Sequence, residues 1–497
     1  MPPEDLCAHT DKGADLRVCH GFGVRFITGQ TQVCHYAKRH ETFPLSHMSD
    51  HQANKIDSVG APQRAESSDP IFDRRLVDGL LLQAGIDLSR CGLEELWGAI
   101  NLLERELGAE FLRMDFGVPG LRPSIIALAA QAAALTNSVI PSQYPPSDGI
   151  PQLKGAASQF LNKFLSVETP PACILPTCGA TQGAFVAQAV AARRHEKMNE
   201  ILFLEPGYPP MKAQARFLGI KSTGIDLYDH RGDRLIDAIE STVREKGSIG
   251  AISWSSPNNP TWNVLTEEEL KGIARICDSC DLVAIEDAAY FGMGTRTEAG
   301  RPSKTVAQFT DNYFLLLSAS KMLSYAGERI GLLATSQQMM RRRYDGLEPA
   351  FGTKEVGAAL KRTIFNLTAG APHSAQYAIA DLLEALNAGE YDLERSLAVY
   401  SQRAKKIKTL LIDNGFYLIY ESAERSTSGD GFYFTFGYPG FDAMRLFKEL
   451  LYYGVTALPL QLFGSSRSDG LRGCVALIDQ QNLSVLAERI TRFRRDH

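Results

Sequence analysis

Short hydrophobic runs alternate with longer stretches of helical spacing along this chain from about residue 71. The runs predict buried strands at 172–175, 201–204, 249–254, 282–285, 313–317 and 330–334. Most are separated by helical patterns, at 182–198, 233–245 and 267–280. Thr266 and Glu269 form a capping box at the start of the last of these helices. Strands that alternate with helices predict an α/β fold whose large domain has a mostly parallel, mixed sheet sandwiched by helices.

The pattern changes after about residue 370. Long amphipathic helices are predicted at 371–386 and 397–414, and the alternating segment 431–436 predicts a strand. These elements indicate a smaller α+β domain, which the segment 112–123 joins from the N-terminal side. The expected regions are therefore an N-terminal extension at 1–70, N-terminal helices with part of the small domain at 71–140, the large domain at 141–370 and the remaining small domain at 371–497.

The first 70 residues have weak periodicity and an unusual content of histidine and cysteine. The residues concerned are Cys7, His9, Cys19, His20, Cys34, His35, His40, His47 and His51. A metal-binding tail would account for them, but adjacent Cys–His pairs lack the spacing that lets both ligands face one zinc ion, so we expect no metal site. We interpret this segment as disordered or weakly ordered, or as the result of a translation start upstream of a true start near Met48.

The composition is that of a folded globular protein, with 44% hydrophobic and 22% charged residues over 497 positions. The formal net charge of −5 provides no overall positive field, so we expect no nucleic-acid partner. The most apolar stretch, 125–135, is too short to span a membrane and is expected to form a core helix. Nine scattered cysteines and a first segment without secretory character predict reduced thiols and a cytoplasmic location.

The candidate chemistry centres on Lys321, in the motif Ser318-Ala-Ser-Lys321 that directly follows the apolar run 313–317. Partial burial and neighbouring cations lower the pKa of a lysine, and its neutral amine can then form a Schiff base with an aldehyde cofactor. The alternative is a solvated lysine at the start of a helix.

Four further motifs follow predicted strands. The glycine-containing turn 178–182 leads into a helix whose free N–H groups could hold a phosphate. Tyr208 could stack on a flat heterocycle. An Asn-Pro-Thr turn projects the amide of Asn259, while Asp287 could lie beneath a protonated ring nitrogen with the phenol of Tyr290 beside it. Each motif alone is also compatible with ordinary packing or turn formation.

Taken together and in order, these motifs resemble those of one known family. The chain is similar to fold type I pyridoxal 5'-phosphate (PLP) enzymes, specifically the class I and II aminotransferases related to aspartate aminotransferase. The resemblance extends over about residues 112–494 and includes Arg329, eight residues after Lys321. It implies that PLP is the cofactor and that 141–370 is the PLP-binding domain.

The resemblance also implies a role for each motif residue. Lys321 looks like the catalytic lysine that binds PLP covalently and moves the proton, and Asp287 looks like the carboxylate that keeps the pyridine nitrogen protonated. Asn259 and Tyr290 resemble the hydrogen-bond partners of the cofactor's phenolic oxygen. The residues similar to the phosphate-binding group and the stacking ring are Gly179, Ala180, Thr181, Ser318, Ser320, Arg329 and Tyr208.

Three more residues are carried over from the family. Tyr144 resembles the tyrosine that reaches the phosphate of a neighbouring subunit, which implies a homodimer with shared active sites. Arg472 looks like the arginine that binds the substrate α-carboxylate, with Arg467 as its nearest competitor. Gly117 resembles the glycine that approaches the same carboxylate.

The chain departs from the family pattern at Trp262, where glycine is usual, so the indole ring must point out of the turn or narrow the site. No second arginine for a side-chain carboxylate can be placed, and 341–343 are candidates by number only. Cys277 and Cys280 end an amphipathic helix and lack a partner pair, so we expect them to be structural. His373, at a predicted helix start, is expected to pack or cap.

The resemblance implies an aminotransferase of amino acid metabolism that moves an amino group between an L-amino acid and a 2-oxo acid by a ping-pong mechanism. A PLP-dependent lyase, decarboxylase or synthase of the same fold is the close alternative, because one electron sink serves all these reactions. A transcription regulator with an aminotransferase-like domain is a remote alternative. It would require a basic DNA-binding module in the first 100 residues, whereas the helix predicted at 93–110 is acidic.

Overall fold

The fold is built around one large sheet, seen in a computed structural model that describes residues 70–293, 304–420 and 430–497. The Cys–His pairs of the predicted extension lie outside the described residues. In chain order the strands are β1 (Leu112–Arg113), β2 (Ile174–Thr177), β3 (Glu200–Glu205), β4 (Lys221–Asp226), β5 (Ile249–Ser255), β6 (Val283–Asp287), β7 (Tyr313–Ser318), β8 (Gly331–Ala334), β9 (Tyr417–Leu418), β10 (Tyr433–Gly437), β11 (Val455–Thr456), β12 (Leu458–Pro459) and β13 (Leu471–Cys474).

The helices occupy most of the remaining described chain. They are α1 (Arg74–Gln83), α2 (Leu93–Leu107), α3 (Ile125–Thr136), α4 (Pro151–Leu165), α5 (Gly179–Ala191), α6 (Pro209–Phe217), α7 (Asp233–Lys246), α8 (Glu267–Cys280), α9 (Ala319–Met322), α10 (Gln337–Arg341), α11 (Glu348–Phe351), α12 (Val356–Thr368), α13 (His373–Ala388), α14 (Leu393–Asp413), α15 (Ala443–Tyr452) and α16 (Gln480–Asp496). In the part of the chain that the structure describes, none of them is both long and apolar enough to cross a lipid bilayer.

The large sheet has the strand order β2-β8-β7-β6-β5-β3-β4. Strands β3 to β7 are mutually parallel, and β8 runs antiparallel to both β2 and β7. The predicted α/β fold with a mostly parallel, mixed sheet is confirmed, and all six predicted strands are present. The sequence pattern missed β4, because this edge strand buries little beyond Ile225 and therefore has no apolar run.

The core fills both faces of this sheet, because successive side chains of a strand point to opposite sides. Helices α5, α6, α10 and α12 cover one face, and α4, α7, α8 and α13 cover the other. Side chains on the first face include Ile201, Phe203, Val283, Ile285, Phe314 and Leu316. Those on the second include Leu202, Leu204, Ala284, Leu315 and Leu317. Double coverage explains why the predicted strands are continuously apolar instead of alternating.

Helix α8 has the predicted bounds and the predicted capping box. The hydroxyl of Thr266 accepts from the backbone N–H of Glu269, and the Glu269 carboxylate accepts from the backbone N–H of Thr266. Helix α5, in contrast, starts at Gly179 and ends at Ala191, earlier than the predicted 182–198. The residues beyond it turn to bring the buried guanidinium of Arg194 to the Asp281 carbonyl, 2.7 Å away.

The prediction of a core helix at 125–135 is wrong for one side of α3. Ile125 is 77% exposed, and Leu128 and Leu135 are also exposed, whereas only Ala127 and Ala134 are buried. The helix packs against α13 on its buried side. Because α3 is apolar around its whole circumference, its pattern could not indicate which side the rest of this chain would cover.

Smaller sheets complete the predicted α+β part of the fold. Strands β9, β10, β12 and β13 form an antiparallel sheet in the order β12-β13-β10-β9. Strand β1 pairs in parallel with β11, with Leu112 opposite Val455. This pairing brings the segment that begins at residue 112 beside the C-terminal strands, as the sequence predicted.

Candidate active site

The candidate site lies at the edge of the large sheet where the parallel strands β3, β5, β6 and β7 end. Ligands of open α/β sheets bind outside the carboxyl ends of the strands, since loops from several strands converge there. A cavity of about 210 Å³ lies at this edge. The predicted site residues that line it are Gly117, Ala180, Thr181, Tyr208, Asn259, Asp287, Tyr290, Ser318, Ser320, Lys321, Arg329 and Arg472.

Lys321 enters the cavity from the short helix α9, directly after β7. The hydroxyl of Ser318 caps this helix by accepting from the backbone N–H of Ser320 at 3.2 Å. Burial is the main cause that lowers the pKa of Lys321 to about 8, and the positive charges of Arg472 and Arg329 act in the same direction. This direction agrees with the prediction, and at a pKa of about 8 about a tenth of the amine is neutral, and therefore nucleophilic, at pH 7.

Asp287 is the last residue of β6 and faces the same cavity. Its side chain is 7% exposed, and burial raises the pKa of the carboxyl to about 6. The backbone N–H of Ala289 donates to it at 3.1 Å, and the described residues supply no cation that pairs with it. A buried carboxylate of this kind is stabilised by any cationic group that enters the cavity.

The preceding residue, Glu286, points to the opposite face of the strand. Its carboxylate accepts from the Thr305 hydroxyl at 2.5 Å and from the Val306 N–H at 2.9 Å, and burial raises its pKa to about 7. The two adjacent carboxyl groups therefore have separate environments, and only Asp287 faces the cavity.

Two phenols and an amide form a hydrogen-bonded chain beside Lys321. The amide of Asn259 donates to the Tyr290 hydroxyl at 3.3 Å, and the hydroxyls of Tyr290 and Tyr433 lie 2.8 Å apart. Burial raises the pKa of both phenols, so both keep their protons at neutral pH. The sequence reasoning missed Tyr433, because the run Phe-Tyr-Phe-Thr-Phe of β10 gives no sign of which aromatic side chain faces the site.

The residues predicted to bind phosphate converge at the start of α5. The Arg329 guanidinium donates to the Ser320 hydroxyl at 3.3 Å and lies against Gly179. A Cβ at Gly179 would lie 2.5 Å from this guanidinium, and its φ of +75° also favours glycine. The free N–H groups at the start of α5 and the arginine fork together suit a dianion.

Arg472, on β13, is 4% exposed and lines the cavity. Its guanidinium donates to the backbone carbonyl of Asp115 and, at 3.4 Å, to the amide oxygen of Asn259. Its Nε is buried without a hydrogen-bond partner in the described ranges. Arg467, in contrast, pairs with Asp469 at 2.6 Å and does not line the cavity. The structure therefore brings Arg472, and not its competitor, to the site.

Gly117 lies between Lys321 and Tyr433. Its carbonyl accepts a hydrogen bond from the Lys321 amine, and a Cβ at this position would lie 2.3 Å from the Tyr433 hydroxyl. The position therefore has no room for a side chain unless Tyr433 moves. Tyr144, predicted to act in a neighbouring subunit, is 83% exposed and does not line the cavity of its own chain.

Trp262 packs behind the site and does not line it. The residue has a φ of 65° and is 2% exposed, and its ring centroid lies 5.8 Å from that of Tyr290 and 6.2 Å from that of Tyr433. A Cβ at Gly431 would overlap the indole at 2.0 Å, so the absence of a side chain there makes room for the ring. The Trp262 ring, where the family usually has glycine, thus points out of the cavity and packs against both tyrosines.

The remaining candidates lie outside the cavity. His373 begins α13, and its ring nitrogen lies 3.1 Å from the Ile140 carbonyl, as expected of a packing residue. Cys277 is buried in α8 while Cys280 is exposed. Arg342 pairs with Asp281 at 3.1 Å. Within the described ranges, no group of His, Cys, Asp and Glu side chains could hold a metal ion.

Comparison with known proteins agrees with this geometry. Residues 118–490 match the family described as aminotransferase class I and II. The chain belongs to this family. It is therefore an aminotransferase, and its sheet and helices are those of the fold type I members.

Relatives of the family cover most of the chain at low identity. A probable aspartate aminotransferase of Methanocaldococcus jannaschii is 24% identical over 332 residues, which are 67% of this chain and 80% of that protein. An LL-diaminopimelate aminotransferase of Natranaerobius thermophilus is 25% identical over 78% of this chain and 93% of its own. The aspartate aminotransferase of Thermus thermophilus with maleate has the same fold, with a TM-score of 0.67 at 20% identity over 81% of this chain and 96% of its own.

Proposed function

We propose that this aminotransferase uses PLP to move an amino group between an L-amino acid and a 2-oxo acid by a ping-pong mechanism. The observation that carries the proposal is the placement of Lys321, with a pKa of about 8, in one cavity with the unpaired carboxylate of Asp287. A nucleophilic amine and a buried carboxylate that requires a cation are the two groups that a pyridine aldehyde needs.

The residues of the cavity fit PLP in charge and shape. Arg329, Ser320 and the start of α5 suit the phosphate, and Asp287 suits a protonated ring nitrogen. Tyr208, half-buried at the start of α6, offers a flat ring for stacking. When bound, PLP supplies an electron sink that stabilises negative charge at the substrate Cα.

The side chains around the cofactor have separate tasks. The Lys321 amine accepts the proton from the substrate Cα and returns it, so this residue is the general acid and base. Tyr290 would donate a hydrogen bond to the cofactor's phenolic oxygen, and the Tyr433 hydroxyl, 2.8 Å from that of Tyr290, would then donate to Tyr290. Asn259, whose amide nitrogen lies 3.3 Å from the Tyr290 hydroxyl, would donate to the same phenolic oxygen. The raised pKa values of the buried phenols keep both hydroxyls protonated, so both can act as donors.

Incubation of the holoenzyme with single L-amino acids tests the proposal. Transamination should convert the bound cofactor to its amine form and release one equivalent of 2-oxo acid, as a ping-pong half-reaction requires. Release of a lyase or decarboxylase product, with the cofactor still in its aldehyde form, would assign the chain to the alternative chemistry of the same fold.

Arg472→Ala should raise KM for the amino acid by about 100-fold, because the substrate α-carboxylate loses a buried bidentate partner. The turnover at saturation should change less, since the variant leaves Lys321 and Asp287 in place. Arg467→Ala is the matched control, because this arginine pairs with Asp469 outside the cavity. An unchanged KM in Arg472→Ala, with a raised KM in the control, would transfer the role to Arg467.

We also propose that the active unit is a homodimer in which Tyr144 reaches the phosphate of the partner. The exposed apolar residues Ile125, Leu128 and Leu135 lie along one side of α3, and such a patch favours an interface. Sedimentation of the holoenzyme should give twice the mass of one chain. The substitution Leu128→Asp should shift the measured mass towards that of a single chain. A parent protein that sediments as a monomer would contradict this assembly.

A cytoplasmic location is part of the same proposal. All cysteines within the described ranges are free thiols, which suits a reducing compartment. Fractionation of cells that express the full chain tests it.

A further inference from the structure

One end of the cavity is lined by apolar side chains that the proposed function leaves unused. Leu93 and Trp97, four residues apart on α2, present the same face of that helix to the cavity. Phe116 and Val118 line it from the segment that follows β1. The rings of Trp97 and Phe116 pack together, with their centroids 4.7 Å apart and their planes inclined by 34°.

This apolar end adjoins the reactive groups. The carbonyl of Asp115 accepts from Arg472, and the carbonyl of Gly117 accepts from Lys321. Phe116 therefore lies between the residue that contacts the carboxylate-binding arginine and the residue that contacts the amine. A substrate held by its α-carboxylate at Arg472, with its Cα at Lys321, would therefore lie against the segment that carries Phe116.

The described residues of this chain place no spare cation at the cavity for a second carboxylate on the substrate. Among the described residues, the cations that line the cavity are Lys321, Arg329 and Arg472, and each already has a partner in the proposed function. A distal carboxylate at the apolar end would lose its hydration without a matching cation, which costs free energy.

The cation beside the Phe116 ring, Arg113, is already compensated. The Arg113 guanidinium lies 5.1 Å from the centroid of the Phe116 ring, but it pairs with Asp115 and Glu104 at 2.9 Å each. Its third partner is the amide oxygen of Asn101, also at 2.9 Å. Arg113 is therefore held in an ion-pair network and is not positioned as a receptor for a substrate carboxylate.

We propose that the apolar end of the cavity, formed by Leu93, Trp97, Phe116 and Val118, selects amino acids and 2-oxo acids with aromatic side chains over dicarboxylic ones. This inference rests on the proposed function. An aromatic substrate ring removes apolar surface from water there and meets the tilted Trp97–Phe116 pair, an arrangement that aromatic clusters favour.

Binding of unreactive carboxylates to the holoenzyme tests this selectivity without turnover. We use 3-phenylpropanoate as the aromatic probe and butanedioate as the dicarboxylate, each titrated by calorimetry and by the absorbance of the bound cofactor. The aromatic acid should bind at least about tenfold more tightly. Trp97→Ala should weaken its binding by about tenfold and change the binding of butanedioate by less than about twofold, whereas Trp97→Phe should retain most of the affinity.

Phe217→Ala is the control for a general effect of removing an aromatic ring, because Phe217 is exposed at the end of α6 and does not line the cavity. It should bind both probes as the parent does. Tighter binding of butanedioate by the parent would overturn the proposal, and so would an unchanged affinity of folded Trp97→Ala for 3-phenylpropanoate.

Failure of this inference is distinguishable from failure of the proposed function. A holoenzyme that exchanges its amino group with dicarboxylic amino acids and rejects aromatic ones contradicts the selectivity alone. A protein to which borohydride fixes no PLP, and whose cofactor is not converted by any amino acid, contradicts the function itself.

Discussion

Lys321→Ala is expected to abolish covalent attachment of PLP and to lower the turnover by at least about 10⁴-fold. The variant removes both the nucleophile that binds the cofactor and the group that moves the proton at the substrate Cα, and general acid–base catalysis alone contributes about 10² to 10⁴. The measurements are the mass of the borohydride-treated protein and the rate of 2-oxo acid formation.

The exposed Lys271, paired with Glu267 on α8, supplies the matched variant. Lys271→Ala should keep the PLP adduct and the parent rate.

Covalent attachment of PLP to the parent apoenzyme should accelerate with pH and level off above about 8, since the pKa of Lys321 is lowered to about 8 and the neutral amine is the nucleophile. Turnover in Lys321→Ala near that of the parent would remove the proposed mechanism.

Asp287→Asn is expected to lower the turnover by about 10³-fold while making the apoenzyme more stable. The rate falls because an amide cannot stabilise a protonated ring nitrogen, and loss of one electrostatic partner in a buried site has effects of about this size. The folded-state pKa of Asp287 is raised to about 6, above its usual 3.8. Its contribution to apoenzyme stability is therefore fully present below about pH 4 and is lost as the pH rises through about 6.

The size of that loss follows from the shift in pKa. About two pKa units correspond to about 3 kcal/mol, so Asp287→Asn should raise the apoenzyme's free energy of unfolding by about 2 to 3 kcal/mol at pH 8 and by little at pH 4. Denaturant unfolding at the two pH values measures the difference.

Glu286→Gln is the control for removing a buried carboxylate from the same strand. Glu286 faces away from the cavity, so this variant should keep the turnover within about threefold of the parent, because the site chemistry is not changed. A parent-like rate in Asp287→Asn, or an equal loss in Glu286→Gln, would contradict the role of Asp287.

The inferred selectivity would distinguish this chain from the relative of Methanocaldococcus jannaschii that is named a probable aspartate aminotransferase. That relative is only 24% identical to this chain. Residues that hold the cofactor perform the same chemistry for every amino acid, whereas the apolar end of the cavity meets only the substrate side chain. The family therefore defines the reaction, and Trp97 and Phe116 carry the preference that we infer.

Local sequence determined the framework of this protein. Six of the seven strands of the large sheet, the bounds of α8 and its capping box follow from hydrophobic spacing and from short-range hydrogen bonds. The motif residues Tyr208, Asn259 and Asp287 were also predictable, because each lies at or just after the end of a parallel strand, and such ends converge at one edge.

Tertiary structure decided the features that depend on residues far apart in the chain. Tyr433 reaches Tyr290 across 143 positions. Arg472 enters the cavity from β13, where it lies opposite Thr435 of β10, whereas Arg467 precedes that strand and pairs with Asp469. Trp97 meets Phe116 only through the packing of α2, and the uncovered side of α3 depends on where α13 lies. Periodicity specifies which residues share a face, but the partner of that face is selected by the packing of the whole chain.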